Sequence, residues 1–283
     1  MNHDPSSWPF FLPTEHADEI HIVIAGDGET SQKHEQTQDG AGYRYDSGYI
    51  LVANEAYRSP HSGFTSYLTL QRASELLDLT RSGGRRIWPE IWRPRPENGP
   101  EEMLRGMLQR TFERVHETVI KFRAYSENYA GTETSLLGAI IEGNTLVFGY
   151  LGDIRLYHLR EHQLRCLTQD HSLAMGGLAS GEIEPEDYEC HPNRETLVKY
   201  LGGNERYRPT QGQIRLRAGD RVLICTKGLY SALNEEDLRH GLESPQIPAE
   251  ERARHLVRLA KGTGSQNTMA AVTLEITAVS GKV

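Results

Sequence analysis

Cysteine is scarce, with three in 283 residues. Cys166, Cys190 and Cys225 are an odd and scattered set, which excludes a small scaffold stapled by disulfides. Cys166 and Cys225 lie in strand-like runs and are expected as reduced core residues. Long apolar runs are also missing. None approaches the roughly 20 residues of a membrane span, so no membrane association is expected. The opening stretch Met1 to Trp8 has neither the basic start nor the apolar centre of a signal peptide, and the cytoplasm is the expected location. Positive charge is in the minority, 31 Lys and Arg against 39 Asp and Glu, for a net −8. That balance argues against a nucleic-acid binder. There is no internal repeat and no low-complexity tract.

What is present suits one large soluble domain, with 37% hydrophobic and 25% charged residues. Residues 1–19 read as an irregular N-terminal segment, and 20–278 as a single domain. Short apolar runs at 20–25 and 49–53 read as strands, the second uninterrupted as in a sandwich core. Phe64, Leu68, Ala73, Leu76 and Leu77 recur at helical spacing over 63–82. Pro100 and the two glutamates after it open a second helix over about 101–128, with a stripe of Met103, Leu104, Met107, Leu108, Phe112, Val115 and Val119. Strands follow at 132–141, 144–151, 154–159 and 163–167, then at 213–217, 221–226 and 269–276. Helices fall near 235–242 and 249–261. Two long helices among closely spaced strands predict an α+β sandwich flanked by helices.

The segment 81–99 joins the first two helices and holds Trp88 and Trp92 among several arginines. It reads either as a strap over the protein's own helices or as a partner-binding loop, since Trp and Arg are enriched at interface hot spots.

Several short motifs occur in one order. Gly131-Thr132-Glu133-Thr134 precedes an apolar strand. Gly152-Asp153-Ile154-Arg155 follows the next strand, and Thr168-Gln169-Asp170-His171-Ser172 comes after it. Gly181-Glu182-Ile183, His191-Pro192 and Leu201-Gly202 lie in the flap-like segment 171–203. Val222 to Leu229 is a strand running into a turn at Lys227-Gly228-Leu229. This series resembles the metal-dependent PP2C-type (PPM) serine/threonine phosphatases. The resemblance implies their α-β-β-α sandwich, two antiparallel sheets flanked by helices.

The same resemblance exposes departures. Family members carry metal-binding aspartates where this chain has Asn54, Lys227 and Gln266, and a glycine where it has Glu55. Asp39 and Asp153 are retained. A phosphate-binding arginine of the family aligns with His34, beside Lys33. Amide oxygens bring no charge to offset a divalent ion. At about 4 Å and an effective dielectric near 20, an ammonium against a dication costs about 8 kcal/mol at most. Lys227 therefore reads either as a turn lysine facing water or as a cation neutralising Asp39 and Asp153. Arg155 is expected to face a neighbouring strand, and Asp170 and His171 to be structural.

The expectation from these losses is a non-enzyme, a pseudophosphatase with no metal cofactor, serving as a binding or regulatory module in serine/threonine phosphorylation signalling. Its expected partner is a protein: a serine/threonine kinase, an active phosphatase or a phosphoprotein. Lys33, His34, Arg58 and Lys227 are the candidate phosphate-binding residues. Two alternatives stand beside it. One is a weakly active, Mg²⁺- or Mn²⁺-dependent phosphatase acting on phosphoserine and phosphothreonine; the other is a structural subunit using the Trp88 to Trp92 loop.

Overall fold

The computed structural model describes residues 39–44, 48–55, 63–81, 99–124, 134–188, 190–203 and 207–277. The lead-in at 1–19, the strand expected at 20–25, the loop over 82–98, and Lys33, His34 and Arg58 lie outside the described residues.

Two antiparallel sheets form the centre. The first has the order β1 (Asp39–Arg44), β2 (Tyr49–Glu55), β3 (Thr134–Glu142), β4 (Thr145–Leu151), β7 (Thr210–Arg215). The second runs β6 (Gln163–Cys166), β5 (Arg155–Arg160), β8 (Arg221–Cys225), β9 (Ala271–Glu275). Helices α1 (Phe64–Arg81) and α2 (Gly99–Arg123) cover the first sheet. The short α5 (Lys227–Tyr230), with α6 (Glu235–Glu243) and α7 (Arg252–Gly262), covers the second. Two short helices, α3 (Leu173–Ser180) and α4 (Pro185–Tyr188), lie in the flap-like segment.

Strand periodicity explains the layering. In β2, Ile50 and Val52 point between the sheets, where they meet Leu137, Phe148, Leu156, Val222, Ile224 and Val272. Tyr49, Leu51 and Ala53 point the other way, onto Leu77, Leu104, Leu108 and Phe112 of the helices. Both faces of β2 are thus covered, which is why an uninterrupted apolar run is stable there. The outer face of the second sheet packs Tyr157, Leu223 and Cys225 on Leu256, Val257 and Met269. The chain folds as the expected α-β-β-α sandwich.

The cysteine reading needs one correction. Cys225 is buried and Cys166 is exposed, both as free thiols. Cys166 ends the edge strand β6, where only one neighbouring strand covers it. Among the described residues, no helix is long and apolar enough to cross a membrane.

Candidate functional site

Strand register brings the candidate residues into one row. Asp39 stands opposite Asn54, and Asn54 stands opposite Ser135. The Ser135 hydroxyl donates to Asp153 Oδ1 at 2.8 Å and accepts the Asp153 backbone N–H at 3.3 Å. Gly152 makes this possible. Its φ is +100°, and a Cβ there would lie 1.9 Å from Ser135 Oγ. Only glycine lets the turn close over the serine.

His171 holds the same turn from the other side. The Gly152 N–H donates to His171 Nδ1 at 3.1 Å, and the His171 N–H donates to the Gly152 carbonyl at 2.9 Å. With Nδ1 accepting, the proton sits on Nε2, which faces Thr210 Oγ1 at 2.8 Å. The ring stacks on Tyr150 at a centroid distance of 4.8 Å. Burial, helped by the Lys199 charge, pushes His171 down to about 4. It is therefore neutral near pH 7.

Asp153 is buried under this turn. Burial raises its carboxyl most, and the Ser135 bond opposes that rise. Asp170 raises it further, while the Lys227 ammonium lowers it. Tyr230 donates its hydroxyl to the Asp153 carbonyl at 2.8 Å. Arg155 makes a two-pronged pair with Asp170, at 3.0 and 2.8 Å, and lies 3.9 Å over the Tyr230 ring. Burial works against its charge, but the Asp170 carboxylate holds it protonated. Arg155 is committed to the protein.

The remaining candidates have other engagements. Glu55 Oε2 accepts the Gly63 N–H at 2.7 Å, at the start of α1. Burial pushes its carboxyl up to about 7, against the bonds from the Gly63 and Thr65 backbone. Gln266 is exposed and donates from Nε2 to the Gly264 carbonyl at 3.3 Å. Lys227 follows β8, its neighbour Gly228 pressed so close to the 268 carbonyl that a Cβ would lie 2.0 Å from that oxygen. Lys227 Nζ is 2.8 Å from Glu195 Oε1. Neither sequence reading of Lys227 named that partner, although the charge does reach Asp153. Sequence reasoning also missed Ser135, whose one signal was a small polar side chain in the apolar run of β3.

The comparisons give these features a context. No family model matches the chain. It is 27% identical over 190 residues to the serine/threonine phosphatase stp of Listeria monocytogenes, covering 67% of this chain and 75% of that protein. It is 34% identical over 143 residues to the serine/threonine protein phosphatase PstP of Mycobacterium tuberculosis, covering 50% of this chain and 27% of PstP. The crystal structure of the PstP catalytic domain in complex with two manganese ions matches with a TM-score of 0.71 at 22% identity, over 92% of this chain and 99% of that one.

Two expectations fall. Relatives named as serine/threonine phosphatases overturn the non-enzyme reading. The non-enzyme expectation rested on the lost aspartates at Asn54, Lys227 and Gln266, and the Lys227 charge is paired with Glu195. The manganese-bound neighbour overturns the expectation of no metal cofactor. Asp153 keeps a hydrogen-bonded carboxylate of the kind such ions take.

The donors present still differ from a two-ion set. Among the described residues, no three His, Cys, Asp or Glu side chains converge as a metal site. Asn54 and Gln266 are neutral, Glu55 is turned to α1, and Lys227 is cationic. These residues do not fit a pair of ions. Sequence similarity over most of the chain and the shared sandwich give one conclusion: this chain has the fold of the PP2C-type (PPM) phosphatases and is similar in sequence to bacterial serine/threonine phosphatases.

Proposed function

We propose that the chain is a protein serine/threonine phosphatase that hydrolyses phosphoserine or phosphothreonine with the help of one divalent cation, Mg²⁺ or Mn²⁺. Its protein partner in this reading is the phosphoprotein substrate. The observation that carries the proposal is the locked Asp153 carboxylate, held by Ser135 and Gly152 beside the Asn54 and Asp39 row. Asp153 would hold the cation, with Asn54 offering an amide oxygen and Asp39, opposite Asn54 in the strand register, as the further acidic position. When bound, such an ion neutralises phosphoryl oxygens and lowers the pKa of a bound water. The chain's own residues do the positioning. Ser135 fixes the Asp153 carboxyl, His171 fixes the turn that carries it, and Tyr230 anchors its carbonyl. With one ion where the manganese-bound neighbour holds two, the expected rate is low.

The test is phosphate release from a phosphothreonine peptide at millimolar Mn²⁺. Wild type is expected to release phosphate only with the metal, and Asp153→Asn to lose about 100-fold or more, on the scale of a lost metal ligand or its orienting partner. Asp39→Ala should behave similarly. Release that survives in Asp153→Asn, or none above blank at any Mn²⁺ concentration, defeats the proposal.

A further inference from the structure

Lys227 opens α5 just after β8, with its backbone fixed. Gly228 packs against the 268 carbonyl, and the Lys227 carbonyl accepts the Ser231 N–H at 3.0 Å. Its side chain is only 22% exposed, yet its partner Glu195 is 78% exposed. The two are not neighbours on one helix. Glu195 comes from the flap-like segment, whose backbone is fastened independently of the ion pair. The Leu173 N–H donates to the Thr196 carbonyl at 2.8 Å, Val198 N–H to His171 O at 2.8 Å, and Leu201 N–H to Thr134 O at 2.9 Å. Removing Glu195 from Lys227 therefore needs a side-chain rotation and no backbone rearrangement.

This arrangement is an anion seat with an internal occupant. The ammonium is largely withdrawn from water and held in place, so it favours a negative group beside it. The carboxylate that fills the role is well solvated, and an ion pair that reaches water contributes little. A phosphomonoester brings about −1.5 to −2 charge and three strong acceptor oxygens against one charge on Glu195. It also gains the stronger, charge-assisted hydrogen bonds that an ammonium makes to phosphate.

We propose that Lys227 is a binding seat for the phosphoryl group of a phosphoserine side chain, and that Glu195 occupies it in the resting protein and is displaced by that group. The proposal deepens the phosphatase reading, but the binding it describes needs neither metal nor turnover. A single ammonium whose charge is already felt by Asp153 limits the expected affinity to the order of millimolar.

The experiment uses the full chain in EDTA at low salt, with binding followed by NMR. The probes are a phosphoserine peptide, its unphosphorylated twin and inorganic phosphate. Glu195→Gln should bind the phosphopeptide about fivefold more tightly, the factor expected when an occupant worth about 1 kcal/mol is removed. Lys227→Met should weaken binding by about tenfold or more, and Lys227→Arg should retain most of it. Glu195 is exposed, so its variant tests the idea even if Lys227→Met folds poorly. Unchanged affinity in Glu195→Gln overturns the displacement, and wild-type binding in a folded Lys227→Met overturns the seat. Tightening for inorganic phosphate with none for the phosphopeptide overturns the phosphoserine assignment. Because no metal or turnover is involved, a failure here is separable from a failure of the phosphatase reading.

Discussion

At Gly152 a single hydrogen in place of a methyl decides whether Asp153 can be held. Its φ of +100° disfavours any L side chain, and the nearest Ser135 atoms to an added Cβ include the backbone Cα at 2.8 Å as well as Oγ. Gly152→Ala should therefore destabilise by about 3 kcal/mol or more, read by urea unfolding. Trimming the serine as well should not rescue it, because the clash with the Ser135 backbone remains. Rescue by Ser135→Ala would show that the hydroxyl alone sets the constraint. His171 carries a pH dependence with a definite sign. Its folded value of about 4 lies below the ordinary 6.5. Protonation would turn Nδ1 into a donor facing the Gly152 N–H, a second donor. The stability from this group is full above about pH 6.5 and is lost as pH falls toward 4, by about 2 kcal/mol for a partly exposed ring. His171→Asn should be less stable at pH 7 and show a flatter slope between pH 4 and 6.5. An unchanged slope would mean the ring titrates freely.

Between elements, the two sheets are joined outside their apolar core by a clamp at Asp220. Arg160, at the end of β5, donates to both Asp220 oxygens at 2.7 and 2.6 Å and to the Arg215 carbonyl of β7 at 2.7 Å. The Arg217 N–H adds a bond at 2.9 Å. Burial opposes the Asp220 charge, but the Arg160 bonds, then Arg217 and His158, hold the carboxyl below its usual range. Such a depressed acid contributes stability above the unfolded carboxylate value near 4 and loses it as pH falls through the lower folded value. Asp220→Asn should cost about 3 kcal/mol at pH 7 and steepen nothing below pH 4, where wild type loses its advantage. A cost below about 1 kcal/mol would mean that Arg160 is as well served by water. The same scale shows what the sequence could and could not reveal. α1, α2, β2 and β8 were legible because an apolar stripe or an unbroken apolar run marks burial against neighbours on known sides. β1 was not, because Asp39-Gly40-Ala41-Gly42 lacks such a run and the strand is defined by its pairing with β2. α3 was hidden by Gly176 and Gly177, and its start is marked only by the Ser172 cap. In the site, the retained Asp153 was readable from its turn motif. The turning of Glu55 onto Gly63 and the pairing of Lys227 with Glu195 were not, since both arise from distant segments meeting in space.

For the molecule as a whole, the net charge of −8 sets a condition on its proposed substrate. A phosphoprotein approaches as a dianion, and the summed field of an acidic protein repels it before any contact forms. Basic residues flanking the phosphoserine would offset that repulsion, and acidic ones would add to it. The reading therefore predicts a preference set at long range, beyond any pocket contact. A phosphopeptide flanked by lysines should be hydrolysed with a kcat/KM several-fold higher than one flanked by glutamates at low salt. Because the Debye length falls to about 3 Å at 1 M salt, the ratio should shrink toward unity as ionic strength rises. Most of the change should appear in KM, since the field acts on encounter more than on the bond-breaking step. A preference of the same size at 20 mM and 1 M salt would assign it to direct contacts in the cleft. A preference for acidic flanks would mean that a local basic surface near the cleft outweighs the overall charge, and Lys227 with its displaceable Glu195 would then be the first place to look.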